Sequence, residues 1–179
     1  MKDNNYKYKV CINCHTYNQS KYICDALNGF TMQTTDFPFI IMLVDDASID
    51  GEKEIISNYV SENFIMINSL CKETDYAIIQ YAKHKTNLNC HIIIHYLKYN
   101  HYQIRKAKDP YLSEWRKSSE YEALCEGDDY WIDPYKLQKQ VDFLKEHSDY
   151  GMCHTAYINT FSNKRRKQPS SPTSWMRRA

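Results

Sequence analysis

The sequence predicts an α/β domain with a mostly parallel central sheet and helices on both faces. Apolar runs of strand length, such as residues 39–44 (FIIMLV), alternate along the chain with segments whose apolar residues recur every three or four positions. A run that is apolar at every position is typical of a strand covered on both sides. Alternating strands and helices form parallel sheets, and 179 residues suffice for one such domain.

The first two strand and helix units follow directly from these patterns. Residues 9–14 (KVCINC) predict a buried strand, and Ser20 in the polar loop after it is placed to cap a helix. The apolar face of that helix is Ile23, Leu27 and Phe30. The strand 39–44 is followed by a turn in which Ser48 or Asp50 can cap a second helix. The apolar stripe of the second helix is Ile55, Ile56, Tyr59 and Val60.

The middle of the chain has a less regular pattern. We interpret residues 65–89 as an insertion without an assigned role. Three of its apolar residues have the spacing of a helix face: Leu70, Ile78 and Tyr81. Residues 92–97 and 121–125 predict two further strands. The basic segment between them predicts a loop and a helix that Pro110 interrupts.

The last predicted helix has the clearest start. Asp133 stands at the N-cap and Pro134 at the first helical position. The buried stripe of this helix is Leu137, Val141 and Leu144. Residues 150–158 predict one more strand. We therefore place the domain at residues 1–162 and expect a basic, mobile tail at residues 163–179, where Lys, Arg, Ser and Pro replace any periodic pattern.

The composition excludes several classes of protein and partner. The formal net charge is +1, so no global field favours a nucleic-acid partner. Seven cysteines, an odd number without framework spacing, indicate reduced thiols in a cytoplasmic protein. The N-terminus is polar and the apolar runs are short, so neither a signal peptide nor a transmembrane segment is predicted. The basic tail allows a peripheral contact with the inner face of the membrane.

Polar clusters follow three of the predicted strands. They are HTYNQ (15–19), DDASIDG (45–51) and EGDDYW (126–131). Ligands of open α/β sheets bind in the crevice beyond the carboxyl ends of the strands. We therefore expect the three clusters to meet in one binding site.

The acidic cluster predicts a site for a divalent cation. Glu126, Asp128 and Asp129 lie close together, and like charges raise one another's pKa unless a cation neutralises them. Their donors are hard oxygens, and the motif has no His or Cys, which favours Mg²⁺ or Mn²⁺ over zinc. The alternative is a solvated turn that caps the next helix. Tyr130 and Trp131, which could wall a site, favour the cation.

The other two clusters offer groups that suit a nucleotide. Asp45 and Asp46 can accept hydrogen bonds from hydroxyl or ring N–H groups, or one of them can cap the next helix. Tyr17 can stack on a base and Asn18 can hydrogen-bond to it, although a loop tyrosine can equally be a packing residue. Arg105 and the lysines that follow it would supply positive charge near a diphosphate.

Two further pairs of residues suggest metal or redox chemistry but are interpreted as structural. Cys11 and Cys14 are three positions apart on a strand and therefore face opposite sides of the sheet. His91 and His95 share a face, but no third metal ligand accompanies them.

Three segments of the chain together resemble bacterial family 2 glycosyltransferases, which have the nucleotide-diphospho-sugar transferase fold called GT-A. The segments are TYNQSKYICDAL (16–27), DFPFIIMLVDDASIDGEKEII (36–56) and YEALCEGDDYWIDPYKLQKQVDFLKEHSDYGMC (121–153). They span most of residues 8–157, and the last segment is the most specific. The resemblance implies a Rossmann-like domain that binds a nucleotide sugar.

The resemblance also implies roles for particular residues. Tyr17 would lie against the base, and Asp46, together with Asp45, would accept hydrogen bonds from the base or ribose. The acidic motif, Glu126, Asp128 and Asp129, would hold the metal ion at the diphosphate of the donor while an acceptor hydroxyl attacks the anomeric carbon with inversion. The catalytic base of the family lies downstream of this motif. We therefore expect a chain truncated at its C-terminus and assign no catalytic residue.

The sequence thus predicts a cytoplasmic glycosyltransferase of polysaccharide biosynthesis. Its donor would be a nucleotide-diphospho-sugar, with a UDP-sugar as the first candidate, and its acceptor a saccharide or a lipid-linked saccharide. Two alternatives remain open. One is a non-catalytic nucleotide-sugar-binding fragment that lacks the acceptor half, and the other is a magnesium-dependent phosphohydrolase.

Overall fold

The computed structural model describes residues 6–161, 164–166 and 175–178. Helices and strands alternate through most of this range. The helices are α1 (Ile23–Thr31), α2 (Glu52–Asn63), α3 (Asp109–Lys117) and α4 (Lys136–Glu146). The strands are β1 (Tyr8–Thr16), β2 (Phe39–Asp45), β3 (Phe64–Met66), β4 (Lys72–Glu73), β5 (Ala77–His84), β6 (Cys90–Leu97), β7 (Ser119–Leu124), β8 (Met152–His154), β9 (Asn159–Phe161), β10 (Lys164–Arg166) and β11 (Trp175–Arg178).

The strands form one large mixed sheet and, from β9 and β10, a second sheet of two antiparallel strands. Across the large sheet the order is β3-β5-β6-β2-β1-β7-β11-β8, with β4 paired to β5. The central strands β6, β2, β1 and β7 are parallel, so their carboxyl ends meet at one edge. The strands on either side are antiparallel to their neighbours. The α/β prediction is confirmed, and its parallel pairing describes the centre of the sheet.

Helices cover both faces of the sheet, as predicted. Helices α1, α2 and α4 pack on one face through Leu27, Ile56 and Val141. Helix α3 packs on the other face through Leu112. Every residue of β2 is buried, and its side chains alternate between the two cores, with Ile41 in the first and Met42 in the second. The continuous apolar run in the sequence therefore reflects burial on both sides.

The start of α4 differs from the prediction by about one half-turn. The helix begins at Lys136, and its N-cap residue is Tyr135 rather than Asp133. Asp133 instead forms a turn before the helix, in which its Oδ1 accepts a hydrogen bond from the N–H of Tyr135 at 2.9 Å. The predicted buried stripe of the helix is confirmed: Leu137, Val141 and Leu144 are fully buried.

The helix predicted within residues 65–89 is wrong. This region forms β3, a short 3₁₀ turn at Asn68–Leu70, β4 and β5. Ala77, Ile79 and Tyr81 on β5 are buried at every second position, which is the period of a strand. Packing in the core beneath α3 buries this side of β5, whereas Leu70 is exposed. Pro110 likewise does not interrupt a helix but lies in the first turn of α3, where a missing N–H costs nothing.

The structure describes two pieces of the segment predicted to be a tail, residues 164–166 and 175–178. Strand β11 inserts between β7 and β8, with Met176 opposite Ala123 and Cys153. The side chain of Met176 is fully buried in the core beneath α4. The rest of the predicted tail lies outside the described residues.

All seven cysteines lie within the described residues and are free, and Cys11 and Cys14 are buried in opposite cores. None of the helices in residues 6–161 has the length and apolar character that a bilayer crossing requires.

Candidate functional site

The polar clusters of the sequence meet at the carboxyl end of β1. The backbone N–H of Asp46, after β2, donates to the carbonyl oxygen of Thr16 at 3.0 Å. The N–H of Gly127, in the acidic turn after β7, donates to the carbonyl oxygen of His15 at 3.0 Å. These two bonds place the turns on either side of the end of β1. Asp46 and the acidic residues therefore share one rim, as expected from the parallel centre of the sheet.

A single buried carboxylate joins the loops after β1 and β2. Glu52, the first residue of α2, is fully buried. It accepts hydrogen bonds from the hydroxyl of Thr16, from the N–H of Gln19 at 2.9 Å and from the hydroxyl of Ser48 at 2.8 Å. Glu52 was not among the predicted site residues. Its only signal was a glutamate directly after the turn glycine, at the start of a helix.

Asn18 and the turn after β2 are joined by reciprocal hydrogen bonds. The N–H of Asn18 donates to Ser48 Oγ at 2.9 Å, and the N–H of Ile49 donates to Asn18 Oδ1 at 2.9 Å. Asp50 adds a third bridge, because its Oδ2 accepts from the N–H of Ser20 at 3.0 Å. The side chain of Asn18 therefore fixes the relative position of two loops of the site.

These contacts correct the predicted helix caps. Helix α1 has Tyr22 as its N-cap residue and α2 has Gly51, and neither receives a capping hydrogen bond from the side chain at that position. Asp50 does accept a bond from the N–H of Glu52 at 3.2 Å. Ser20 and Ser48 serve to bridge the loops instead of capping.

Asp45 and Asp46 have different environments although they are adjacent. Asp45 is buried, and its Oδ1 accepts from the N–H of Ser48 at 3.0 Å. Burial raises the pKa of the Asp45 carboxyl above its usual value, in opposition to the hydrogen bonds from Ser48. Asp45 thus shapes the turn in which it lies.

Asp46 holds the loop that follows β6. Its carboxylate accepts hydrogen bonds from the N–H groups of His101 at 2.7 Å and Tyr102 at 3.2 Å, and it pairs with Lys108 Nζ at 2.9 Å. Burial alone would raise the pKa of Asp46, but the bonds from Lys108, His101 and Tyr102 outweigh it and lower that pKa below the usual value. Sequence reasoning placed Asp46 in the site but missed these partners in the loop.

The loops after β1, β2 and β6 each contain one residue with a left-handed backbone. Asn18, Ala47 and Arg105 have φ values of 55°, 63° and 52°. They are the non-glycine residues with positive φ in the part of the chain that the structure describes. This conformation is unfavourable for residues other than glycine and is concentrated at functional sites in proteins. The strain marks the same three loops that the hydrogen bonds bring together.

The acidic turn carries Glu126, Asp128 and Asp129 at the rim. Partial burial and the charges of Asp128 and Asp129 raise the pKa of Glu126, while Lys108 opposes this shift. Burial and the charge of Asp128 likewise raise the pKa of Asp129. Within residues 6–161 and the two short strands that follow, no three or more His, Cys, Asp or Glu side chains are arranged to hold a metal ion. The three acids therefore repel one another without forming a complete coordination shell.

Close packing fixes the acidic turn against β1. A Cβ atom on Gly127 would lie 2.5 Å from Gln19 Oε1 and 2.5 Å from Thr16 Oγ1, so only glycine fits there. After the turn, Trp131 is buried in the core, with its ring 5.0 Å from that of Phe30. Trp131 therefore anchors the turn, which corrects the idea that it walls a site.

Tyr17 and Tyr130 are two exposed aromatic residues at the rim. Tyr17, in the loop after β1, has 36% of its surface exposed, and Tyr130, in the acidic turn, has 51% exposed. Both rings are therefore accessible to a ligand.

A basic cleft of about 510 Å³ adjoins the rim. Its walls include Asn13 and His15 from β1, the loop after β6 and part of α3. Four of its side chains are cationic: Arg105, Lys106, Lys108 and Arg116. Burial, followed by the charge of Lys108, lowers the pKa of His15 to about 4, so this histidine is neutral at pH 7. Lys108 pairs with Asp46, and Arg116 pairs with Asp109 and Glu122. The remaining positive charge, on Arg105 and Lys106, suits an anionic ligand.

Comparison with proteins of known sequence gives relatives without an assigned activity. No protein-family model matches the chain. The uncharacterised protein Rv1520 of Mycobacterium tuberculosis is 31% identical over 162 residues, and the uncharacterised protein Mb1547 of Mycobacterium bovis is equally similar. The match covers 90% of this chain but 39% of the relatives.

Comparison with solved structures identifies the fold. The structure of Staphylococcus aureus TarS 1–349 matches with a TM-score of 0.53 and 20% sequence identity, over 94% of this chain and 47% of TarS 1–349. The complex of TarS 1–349 with UDP-GlcNAc matches with a TM-score of 0.52 over 93% of this chain. The chain therefore shares its α/β fold with TarS 1–349. The chain spans less than half the length of these proteins.

Proposed function

We propose that this chain is the donor-binding part of a family 2 glycosyltransferase of the GT-A type. Its donor would be a nucleotide-diphospho-sugar, with a UDP-sugar as the first candidate. The observation that carries the proposal is the convergence of three strained loops and an acidic turn on one rim, beside a cleft with four cationic residues. The fold that the chain shares with TarS 1–349 and the complexes of TarS with UDP and UDP-GlcNAc support it.

The rim residues have complementary roles in this proposal. The exposed ring of Tyr17 stacks on the base, and Asn18 and Asp45 keep the two loops in place around it. Asp46 positions the loop that contains Arg105. An ionised carboxylate has about four acceptor positions, and three of those on Asp46 are used by this loop, so one remains for a hydroxyl or ring N–H of the nucleotide.

The donor groups of the acidic turn fit a divalent cation such as Mg²⁺ or Mn²⁺. The carboxylates are hard oxygen ligands. Burial, followed by the charges of neighbouring carboxylates, raises the pKa values of Glu126 and Asp129, and a cation would relieve that repulsion. Mg²⁺ is commonly bound by one or two carboxylates together with phosphate oxygens and water, so the lack of a three-residue cage among the described residues is compatible with this ion. When bound, the cation would neutralise negative charge on the diphosphate.

The basic cleft and the rim suit a direct displacement at the anomeric carbon. The acceptor hydroxyl oxygen forms a bond to that carbon, the bond to the diphosphate oxygen breaks, and the nucleoside diphosphate departs with the electron pair. Arg105 and Lys108 stabilise the charge that develops on the diphosphate. The configuration inverts, and the proton of the hydroxyl passes to a base that we do not assign. We propose a saccharide or lipid-linked acceptor and a role in polysaccharide synthesis in the cytoplasm, a location that the free cysteines fit.

The test is UDP binding by calorimetry, with Mn²⁺ and with EDTA. Asp128→Ala should weaken UDP binding by about tenfold or more when Mn²⁺ is present and leave it unchanged in EDTA, because this side chain would act through the ion. Asp46→Ala should weaken binding in both conditions, because it releases the loop that contains Arg105. The exposed Asp149→Ala is the control and should bind UDP normally. An equal loss for Asp128→Ala with and without Mn²⁺ would refute its role as a ligand.

Activity assays separate the remaining alternatives. Slow, metal-dependent hydrolysis of a UDP-sugar that accelerates with a saccharide acceptor identifies a transferase. Binding of UDP without turnover identifies a nucleotide-sugar-binding module. Release of phosphate from simple phosphomonoesters, in preference to UDP binding, would instead identify a phosphohydrolase.

A further inference from the structure

A second cavity lies on the face of the sheet that α3 covers. Its volume is about 460 Å³, and it is bounded by α3, the end of β6 and the segment that leads into β5. His95 and Ile79 form its floor, and Tyr76, Tyr111 and Trp115 contribute to its walls. None of its lining residues belongs to the rim or to the basic cleft. A cavity of this size, with several aromatic side chains in its lining, is typical of sites for small organic ligands.

His95 gives the floor of this cavity an unsatisfied polar group. The residue is 1% exposed, and neither of its ring nitrogens has a hydrogen-bond partner among the described residues. Burial, followed by the charges of Lys72 and His15, lowers the pKa of His95 to about 4. The neutral ring presents one N–H donor and one acceptor nitrogen. Buried polar groups in proteins are nearly always paired, so this histidine indicates a ligand with hydroxyl groups, which can both donate and accept.

The aromatic walls of this cavity suit the apolar face of a sugar ring. Tyr76 and Tyr111 stack with their centroids 3.8 Å apart, and Trp115 stacks against Tyr81 at 5.9 Å. These contacts hold the aromatic rings in fixed orientations. A pyranose ring has C–H groups that pack on such surfaces and hydroxyl groups around its edge. The lining of this cavity carries charges of both signs, from Lys7, Lys72 and Glu114. Unlike the basic cleft, it therefore does not select an anion.

We propose that this cavity binds a neutral sugar ring of a saccharide, at a site separate from the nucleotide site. The sheet register explains how the two sites are kept apart. His15, which lines the basic cleft, is opposite Val44, and Val44 is opposite His95. The two histidines therefore lie in one row of the sheet, on either side of a buried valine. The proposal does not depend on the proposed glycosyl transfer, because a chain without affinity for nucleotides could still bind a sugar here.

The test is binding of methyl glycosides of glucose, galactose, mannose and N-acetylglucosamine, measured by saturation-transfer NMR without nucleotide or metal. At least one glycoside should bind. His95→Phe, which keeps a ring but removes both nitrogens, should weaken binding by about tenfold or more. Trp115→Leu, which keeps apolar volume but removes the stacking surface, should do the same. His147→Phe, at the exposed end of α4 on the other face of the sheet, is the matched control and should bind like the unsubstituted chain.

Several outcomes would overturn the proposal. One is that no glycoside of the panel binds, and another is that both cavity variants bind as well as the unsubstituted chain. Displacement of the glycoside by UDP with Mn²⁺ would place the sugar in the nucleotide site, and binding of indole without binding of any glycoside would identify a site for aromatic ligands. If His95→Phe proves unfolded by circular dichroism, Trp115→Leu decides the result. UDP binding, measured on the same variants, should be unaffected, so failure here is distinguishable from failure of the proposed function.

Discussion

Glu52 illustrates how much of the site depends on single buried side chains. It is an ionisable group with no exposed surface, and its described hydrogen-bond donors are neutral groups of Thr16, Gln19 and Ser48. Burial of a carboxylate is unfavourable unless its acceptor positions are satisfied. The loops after β1 and β2 supply those bonds, and the carboxylate in turn holds the loops together.

Glu52→Gln should destabilise the fold and weaken UDP binding together. The amide nitrogen of Gln cannot accept the hydrogen bonds that a carboxylate oxygen accepts, so one or more donors would be left unsatisfied. We expect a loss of about 1–3 kcal/mol in the free energy of unfolding, measured with urea. Glu54→Gln, on the exposed side of the same helix, should change it by less than about 0.5 kcal/mol. Equal effects of the two substitutions would contradict a role for Glu52 in joining the loops.

The acidic turn should make the stabilising effect of a divalent cation depend on pH. The pKa values of Glu126 and Asp129 are raised in the folded chain. As pH rises through these raised values, both groups lose protons at a cost, so their contribution to stability falls in the metal-free chain. A bound cation removes that cost. The increase in Tm caused by Mn²⁺ should therefore be small near pH 4 and grow toward pH 7.

Thermal unfolding in Mn²⁺ and in EDTA across this pH range measures the effect. The double variant Glu126→Gln, Asp129→Asn is the control, and the difference between Mn²⁺ and EDTA should be much less dependent on pH in this variant. An increase in Tm that is the same at every pH in the unsubstituted chain would count against cation binding by these carboxylates.

Among the elements, the acidic turn is positioned by packing at both of its ends. At its start, Gly127 permits contact with Thr16 and Gln19. At its end, Trp131 packs on Phe30 and beneath Lys136, whose Nζ lies 4.1 Å from the centre of the indole ring. Gly29 of α1 allows this approach, because a Cβ atom there would lie 2.8 Å from the backbone nitrogen of Trp131. The turn is thus held to the end of β1 by shape as well as by hydrogen bonds.

Gly127→Ala should displace the acidic turn from β1. The added methyl group would lie 2.8 Å from Thr16 Cβ, a contact that the backbone cannot relieve without movement. We expect a loss of about 1–3 kcal/mol in unfolding free energy and loss of the metal-dependent part of UDP binding. Gly151→Ala is a matched control, since a Cβ atom at Gly151 has no neighbour within 4 Å. Unchanged metal-dependent binding in Gly127→Ala would show that the position of the turn is not important for the site.

The elements also show where sequence patterns succeed and fail. The stripes of α1, α2 and α4 and the apolar run of β2 are repeated local patterns, and each was confirmed. Residues 65–89 were misassigned because the spacing of Leu70, Ile78 and Tyr81 also fits a helix, and only pairing of β5 with β6 selects a strand. The starts of α1, α2 and α4 were displaced because the polar residues before them bond to other loops or turns.

Across the molecule, Glu122 connects elements that are distant in the sequence. It is 1% exposed, accepts a hydrogen bond from Asn13 of β1 at 2.9 Å and forms an ion pair with Arg116 of α3 at 2.9 Å. It also accepts two from Arg177 of β11, at 2.9 Å and 2.7 Å. The same carboxylate therefore links the floor of the basic cleft, its α3 wall and a strand near the end of the chain.

Glu122→Gln should destabilise the whole fold more than loss of a surface ion pair does. Removing one partner of a buried ion pair costs about 3–5 kcal/mol, and partial exposure of both arginines places the expected loss at the lower end of that range. Glu120→Gln is the control, because Glu120 lies on the same strand but pairs with Lys9 near the surface. That substitution should cost less than about 1 kcal/mol. Similar urea denaturation midpoints for the two variants would contradict the role of Glu122 in linking these elements.

Local sequence pattern was enough to specify the α/β class, the central strands and the position of the polar clusters at their ends. Side chains that face the core recur every two residues in a strand and every 3.6 residues in a helix. Both periods can be recognised within a short segment of the sequence. Long-range contacts decided the rest: the antiparallel flanks of the sheet, the burial of Trp131, the bonds from Asp46 to the loop after β6 and both cavities. These features join residues many positions apart, so their energies depend on which elements become neighbours, and no local period encodes that choice.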